Sequence, residues 1–129
     1  MSAKQEVTIN AARIPSIRDI VIQARPKQML KNGLVLVPLF FTVNIWYNSS
    51  DLSGMSSIIT RALAALGIFI LISAAVYFIN DSADAKKDRL HPRKRFRPVA
   101  AKRISIRWAV GIATLMIIGG LSSAYLISV

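Results

Sequence analysis

The stretch that decides the fold is residues 62–79, ALAALGIFILISAAVYFI, which runs for 18 residues without a charge. At about 1.5 Å per residue, a helix of this length reaches about 27 Å, close to the roughly 30 Å hydrocarbon core of a bilayer. Residues 108–129 form a second uncharged run, and residues 33–47 form a third. Because a bilayer offers the backbone no hydrogen-bonding partner, spanning segments are helices. The sequence therefore predicts an all-α, multi-pass transmembrane bundle, with three spanning helices over about 30–47, 58–79 and 104–128.

The composition of the 129-residue chain points the same way. Hydrophobic residues make up 53% of it, and the formal net charge is +11. A basic disordered tail would be poor in apolar residues, and a soluble domain with three buried helices would show polar faces that these runs lack. The chain has no cysteine and one histidine, which excludes disulfides, thiol chemistry and a multi-histidine metal site.

Positive charges predict how the chain is oriented. The link at 48–57 carries no Lys or Arg, whereas the loop at 80–103 carries nine and the N-terminal arm through Lys31 carries six. The positive-inside rule places the N-terminus and loop 80–103 in the cytoplasm, as for a protein of the inner (plasma) membrane. Residues 1–29 are then a cytoplasmic arm, and residues 30–129 are the transmembrane region.

The arm contains a predicted interfacial helix at 15–24, PSIRDIVIQA. Ser16 followed three residues later by Asp19 is typical of a helix N-terminus. An apolar stripe at helical spacing would lie on the inner leaflet; it consists of Ile14, Ile17, Val21 and Ala24. Residues 1–13 are expected to be a loose tail.

Proline and glycine positions predict details of the bundle. Pro38 removes one backbone hydrogen bond and is expected to kink the first spanning helix. Small residues let transmembrane helices approach closely, so Gly67, Gly119 and Gly120 are expected at helix contacts.

The loop after the second run combines acids and bases: NDSADAKKDRLHPRKRFRPVAAKR, residues 80–103. In a continuing helix, Asp81, Asp84 and Asp88 fall at i, i+3 and i+7, and Asn80, Asp84 and Asp88 fall at i, i+4 and i+8. Either set places oxygen ligands along one face. Crowded carboxylates repel one another unless a cation joins them, and oxygen donors without His or Cys favour Mg²⁺. The loop therefore predicts a Mg²⁺ site at Asn80, Asp81, Asp84 and Asp88.

Basic residues follow these acids directly. Six positions between 89 and 97 are cationic or histidine: Arg89, His91, Arg93, Lys94, Arg95 and Arg97. Acids that hold a metal beside bases that hold phosphate oxygens would suit a Mg²⁺-diphosphate. The ordinary alternative is a topology signal that binds anionic lipid, which accounts for the bases but not for aspartates at helical spacing. His91 by itself is expected to be a turn residue.

These motifs resemble a known family. Asn80-Asp81-x-x-Asp84-x-x-x-Asp88, at the end of a transmembrane helix, resembles the first Asp-rich motif of the UbiA superfamily of membrane prenyltransferases. Arg25-Pro26-Lys27-Gln28-x-x-Lys31-Asn32 and Asp88-Arg89-x-His91-Pro92-x-Lys94-Arg95-x-Arg97-Pro98 resemble one branch of it, which transfers phosphoribose to a polyprenyl phosphate. The resemblance covers roughly residues 20–129.

The resemblance implies an all-helical, Mg²⁺-dependent membrane transferase. Its substrates would be phosphoribosyl diphosphate and a polyprenyl phosphate such as decaprenyl phosphate, and diphosphate would leave. Catalytic roles are implied for Asp81, Asp84 and Asp88, with Asn80 joining them at the metal. Substrate contacts are implied for Lys27, Lys31, Tyr77, Lys94 and Arg97, although anchoring at the membrane edge explains Lys27, and Arg25 beside it, equally well.

The sequence departs from the family in one respect. Family members have more transmembrane helices and a second Asp-rich motif, whereas the acids outside loop 80–103 here are Glu6, Asp19 and Asp51. We therefore expect part of a longer enzyme or a truncated product, with further helices supplied by a longer chain or by oligomerisation. No turnover is expected from these 129 residues alone.

Two other functions stay open at this point. A UbiA-type enzyme that prenylates an aromatic acceptor would share the Asp motif but needs fewer cations. A non-enzymatic membrane protein could use the basic loop to bind anionic lipid. Nucleic acid is not an expected partner, because Phe96 is the only aromatic residue in the loop on which a base could stack.

Overall fold

The computed structural model describes residues 14–47 and 50–128, without the side chain of Trp46. The expected loose tail at 1–13 lies outside these residues. The described part is helical and contains no strand, which confirms the all-α prediction. Its α-helices are α1 (Ile17–Ala24), α2 (Pro26–Met29), α3 (Val37–Phe41), α4 (Val43–Trp46), α5 (Leu52–Ala83), α6 (Ala85–Leu90) and α7 (Ile106–Ser128). Two 3₁₀ helices lie at Leu30–Leu36 and Lys94–Phe96.

Two of the described helices, α5 and α7, are long and apolar enough to cross a membrane. Of the most apolar 18-residue stretch in each helix, only 17% in α5 and 11% in α7 is buried inside the protein. Such a surface requires cover from lipid or other helices, because soluble proteins rarely expose large apolar patches. With 32 residues, α5 is about 48 Å long, so its ends extend past a bilayer core of about 30 Å.

The first predicted span, residues 30–47, is not the single kinked helix that we expected. It is divided into the 3₁₀ helix Leu30–Leu36, α3 and α4. Pro38 lies in the first turn of α3, where its missing N–H breaks no intrahelical hydrogen bond. Thr42 separates α3 from α4 with φ −101° and ψ 13°, and its hydroxyl donates to the Pro38 carbonyl at 2.7 Å. A third span therefore stays a prediction.

The second predicted span is longer than expected because of its N-terminal cap. The Asp51 carboxylate accepts hydrogen bonds from the Gly54 N–H at 2.9 Å and from the Ser53 hydroxyl at 3.0 Å. These bonds stabilise the ionised carboxyl and lower the pKa of Asp51 from 3.8. The cap starts α5 at Leu52, and the helix continues to Ala83, past the predicted end at 79.

Small residues form the contact between α5 and α7. Ala75 of α5 and Ala109 and Ala113 of α7 are fully buried in one cluster. Farther along, a Cβ added to Gly120 would lie 2.9 Å from Cγ1 of Ile72, so Gly120 allows the close approach predicted for it. The prediction was wrong for Gly67 and Gly119 within the part of the chain that the structure describes, where a Cβ at either position would meet nothing within 4 Å.

This difference between adjacent glycines predicts opposite outcomes for one substitution. Gly120→Leu should lower the free energy of unfolding by about 1 to 3 kcal/mol, because the new side chain must displace Ile72. Gly119→Leu should change it by no more than about 0.5 kcal/mol, since that position is open. Unfolding by sodium dodecyl sulfate in mixed micelles, followed by circular dichroism, measures both. Equal losses would show that α5 and α7 do not meet at Gly120.

Helix α1 docks onto the C-terminal end of α5 and onto loop 80–103. Ser16 caps it as predicted, with its hydroxyl accepting from the Asp19 N–H at 3.2 Å. Ile20 and Ala24 pack against the buried cluster, which includes Phe78, Val99 and Ile104. An ion pair of 3.0 Å joins Arg103 to Asp19. Docking on this side leaves most of the predicted apolar stripe uncovered, with Ile17 81% exposed.

Candidate functional site

Asp81 lies at the centre of a polar cluster where the C-terminal end of α5 meets α1. The residue is 3% exposed, and its carboxylate accepts from three side chains. Gln23 Nε2 donates to Oδ2 at 2.6 Å, Arg25 Nη2 donates to both oxygens and lies 2.7 Å from Oδ2, and Arg97 Nη1 donates to Oδ1 at 3.1 Å. Both oxygens of a buried carboxylate are therefore satisfied by neighbours from other parts of the chain.

Arg97 joins Asp81 to a second buried carboxylate. The same Nη1 atom lies 2.8 Å from Oδ2 of Asp88, whose residue is 2% exposed. Residues seven apart differ by only about 20° around a helix, so the two carboxylates share one face of the α5–α6 segment. One cationic atom thus lies between oxygens of two aspartates.

Arg25 reaches the cluster from the junction of α1 and α2. Its backbone lies in the left-handed region, with φ 56° and ψ 60°, where a side chain costs about 1 to 2 kcal/mol. The α1 helix ends there, and Pro26 starts the next one. The guanidinium lies over the Tyr77 ring, 4.9 Å from its centroid. The contacts to Tyr77 and Asp81 offset this backbone strain.

The structure brings together only part of the predicted site. Arg97 contacts both Asp81 and Asp88, and Tyr77 is linked to Asp81 through Arg25. The other predicted site residues are exposed: Lys27, Lys31, Asn80, Asp84 and Lys94. Asp84 lies between α5 and α6 and points about 60° around the helix from Asp81. Within residues 14–47 and 50–128, no three His, Asp or Glu side chains converge as a ready-made metal site.

The donors at this position nevertheless suit Mg²⁺, which binds proteins through one or two carboxylates and completes its shell with water and phosphate oxygens. Asp81 and Asp88 provide two carboxylates on one face, and Arg97 Nη1 shows that the space between them accepts a cation. When bound there, Mg²⁺ would neutralise charge on a diphosphate. Asp81 and Asp88 would hold it, and exposed Asn80 and Asp84 remain candidates for further contacts.

The basic half of the loop folds into a turn beside this cluster. His91 Nδ1 accepts from the backbone N–H groups of Arg93 and Lys94, at 3.2 and 3.3 Å, which confirms that His91 is a turn residue. Arg89 Nε donates to the Ala100 carbonyl at 3.0 Å. These bonds hold the loop against α6, with Pro98 buried next to Arg97.

Two members of the cluster were missed or undervalued in the sequence. For Arg25, anchoring at the membrane edge was an equally good explanation, and Gln23 was not singled out. A polar residue on the inward face of an amphipathic helix was the available signal, because Gln23 shares a face with Ile20 and Ala24. Gln23 is 1% exposed, and its Oε1 has no hydrogen-bonding partner among the described residues.

Comparison with known proteins assigns the family. The model of the UbiA prenyltransferase family matches residues 35–129, which is most of the chain and includes Asp81, Asp88 and Arg97. This chain belongs to the UbiA prenyltransferase family. Because the family is membrane-embedded, α5 and α7 are read as membrane helices of a UbiA protein.

Several relatives of this UbiA chain carry the name decaprenyl-phosphate phosphoribosyltransferase, and another is a nodulation protein. The protein from Mycolicibacterium smegmatis is 34% identical over 107 residues, which cover 81% of this chain and 32% of the relative. That from Corynebacterium glutamicum is 38% identical over 104 residues, covering 79% and 29%. The nodulation protein NoeC of Azorhizobium caulinodans is 32% identical over 111 residues, covering 85% and 33%. The chain therefore spans about a third of the length of these relatives.

Proposed function

We propose that this chain carries the first acidic motif of a Mg²⁺-dependent UbiA transferase that moves 5-phosphoribose from phosphoribosyl diphosphate to a polyprenyl phosphate. The observation that supports it most is the Asp81 cluster, in which two buried carboxylates and two guanidinium groups share one position. Carboxylates suit a divalent ion, and guanidinium groups suit phosphate oxygens. The names of the relatives support the choice of phosphoribose and decaprenyl phosphate.

In the proposed reaction, an oxygen of the polyprenyl phosphate attacks the anomeric carbon of the ribose. A carbon–oxygen bond forms there, and the bond to diphosphate breaks, with the electron pair leaving on diphosphate. Arg25 and Arg97 would hold the departing diphosphate, and Asp81 and Asp88 would hold its metal. Exposed Lys27, Lys31 and Lys94 would contribute further contacts to phosphate groups.

The proposal also places the cluster relative to the membrane. Asp81 follows the uncharged run at 62–79 by two residues, so it would lie just outside the hydrocarbon core. We place this end of α5, loop 80–103 and the N-terminal arm on the cytoplasmic side of the plasma membrane, where a water-soluble phosphosugar would reach the site.

The expected test result is selective thermal protection. In nanodiscs, Mg²⁺ with phosphoribosyl diphosphate should raise the melting temperature of the chain, because a ligand at about 100 times its Kd adds about 2.7 kcal/mol of stability. Mg²⁺ with geranyl diphosphate should give a smaller rise. Intrinsic fluorescence measures the transition, and removal of Mg²⁺ with a chelator is the control. Greater protection by geranyl diphosphate would favour an aromatic-acceptor prenyltransferase, and no protection by either ligand would contradict the proposal.

A further inference from the structure

The Asp81 cluster is balanced in charge before any ligand arrives. It combines the carboxylates of Asp81 and Asp88 with the guanidinium groups of Arg25 and Arg97. A divalent cation that entered alone would leave the cluster with two uncompensated positive charges. Burying unpaired charge is strongly unfavourable, so the metal by itself should bind weakly here.

Arg25 is the member of the cluster whose contact with Asp81 is most easily given up. It comes from a different segment, 56 residues before Asp81, and lies where two short helices join. Its backbone is held in the left-handed region, so the contact with Asp81 opposes local strain. Arg97, in contrast, bridges two carboxylates with one nitrogen.

We propose that Arg25 is the resident counter-cation of Asp81 and makes binding of a divalent ion at Asp81 depend on an accompanying diphosphate. This inference rests on the proposed function. It adds the requirement that the divalent ion binds together with the diphosphate and not before it. Gln23, which also donates to Asp81 from α1, positions the carboxylate during this exchange.

The physical basis is an exchange of partners. A diphosphate supplies negative charges that offset the metal, and its oxygens accept from a guanidinium in the same two-point manner as a carboxylate. Arg25 can therefore turn from Asp81 to the diphosphate without losing a charged partner, and the oxygens of Asp81 become free for the metal. Without the anion, the metal would have to displace Arg25 and leave its guanidinium unpaired.

The test compares Mn²⁺ alone with Mn²⁺ plus inorganic diphosphate on the 129-residue chain in nanodiscs. Bound Mn²⁺ is measured from the loss of the free-ion electron paramagnetic resonance signal, and bound radiolabelled diphosphate is measured by equilibrium dialysis. Arg25→Gln removes the counter-cation. Arg18→Gln is the matched control, because it removes the same charge from an exposed position on α1, the helix that ends next to Arg25.

Arg25→Gln should bind Mn²⁺ alone about tenfold more tightly than the wild type, because an opposing charge beside Asp81 is gone. It should bind the Mn²⁺-diphosphate complex no more tightly than the wild type, since one phosphate partner is lost. Arg18→Gln should match the wild type in both measurements. Circular dichroism checks that each variant is folded. Should Arg25→Gln not fold, Arg25→Lys replaces it, with a smaller gain of about threefold, because an ammonium group grips two oxygens less well.

The outcomes separate this inference from the proposed function. Unchanged Mn²⁺ affinity in the Arg25 variant, with diphosphate still bound, would overturn the inference and leave the proposed function intact. Failure of the wild type to bind diphosphate with Mn²⁺ would overturn the proposed function and the inference that rests on it. A gain shared by Arg18→Gln would show a general charge effect and also contradict the inference.

Discussion

An Asp81→Asn variant is expected to lose about 2 to 3 kcal/mol of its free energy of unfolding, somewhat less than the about 3 to 5 kcal/mol typical of breaking a fully buried ion pair. The loss is reduced because the side chains of Arg25 and Arg97 are 20% and 28% exposed and partly hydrated. Asparagine keeps the shape of the side chain but removes its charge, so Arg97 would pair with Asp88 alone and Arg25 would lose the carboxylate it contacts. Unfolding in mixed micelles measures the change, and the same variant should lose protection by Mg²⁺ with phosphoribosyl diphosphate.

The matched control is Asp84→Asn, which removes the same charge three residues along the chain. Asp84 is exposed and lies between α5 and α6, so its substitution should change stability by no more than about 0.5 kcal/mol. Similar losses for the two variants would contradict the central position of Asp81. If Asp84→Asn also abolished diphosphate binding at unchanged stability, Asp84 would join the proposed metal ligands.

Arg97→Gln is the second substitution with a large expected effect. It leaves Asp88, which is 2% exposed, without the charged partner that the structure gives it, and it removes one of the two arginines at Asp81. We expect a loss of about 2 to 3 kcal/mol in the free energy of unfolding, together with loss of diphosphate binding. Arg93→Gln, at an exposed position of the same loop, should alter stability by about 0.5 kcal/mol or less.

Arg97→Lys should separate the two roles of this side chain. A single Nη1 atom bridges Asp81 and Asp88, and a lysine ammonium can offer one nitrogen to both carboxylates. The stability loss should therefore fall to about 1 kcal/mol, while diphosphate binding should remain weak because lysine lacks the planar fork that grips phosphate. Full recovery of diphosphate affinity in the lysine variant would show that Arg97 acts only as a structural bridge.

The acidic motif shows which parts of the site helical periodicity can predict and which it cannot. Spacing in the sequence correctly placed Asp81 and Asp88 on one face, because seven residues make nearly two turns. The same spacing grouped Asp84 with them, whereas Asp84 lies about 60° around the helix from Asp81 and is exposed. Which side of a helix is buried depends on the elements that pack against it, and periodicity alone does not describe them.

The first apolar run shows a second limit. Composition and length suggested one helix over 30–47, but the structure contains three short helical segments there. Pro38 and Thr42 act at particular backbone positions, one at a helix start and one at a helix junction. Hydropathy describes which residues prefer lipid and gives no information about such junctions.

By itself, the sequence determined that the chain is helical and apolar enough for a membrane, and that acids and bases follow its second apolar run. These properties depend on neighbouring residues, since helix length, hydropathy and spacing are local quantities. Only the tertiary structure decided that Gln23 and Arg25 hold Asp81, because that contact joins residues more than fifty positions apart. It exists because Ile20 and Ala24 dock α1 beside Phe78, and the docking carries the two polar side chains to the carboxylate.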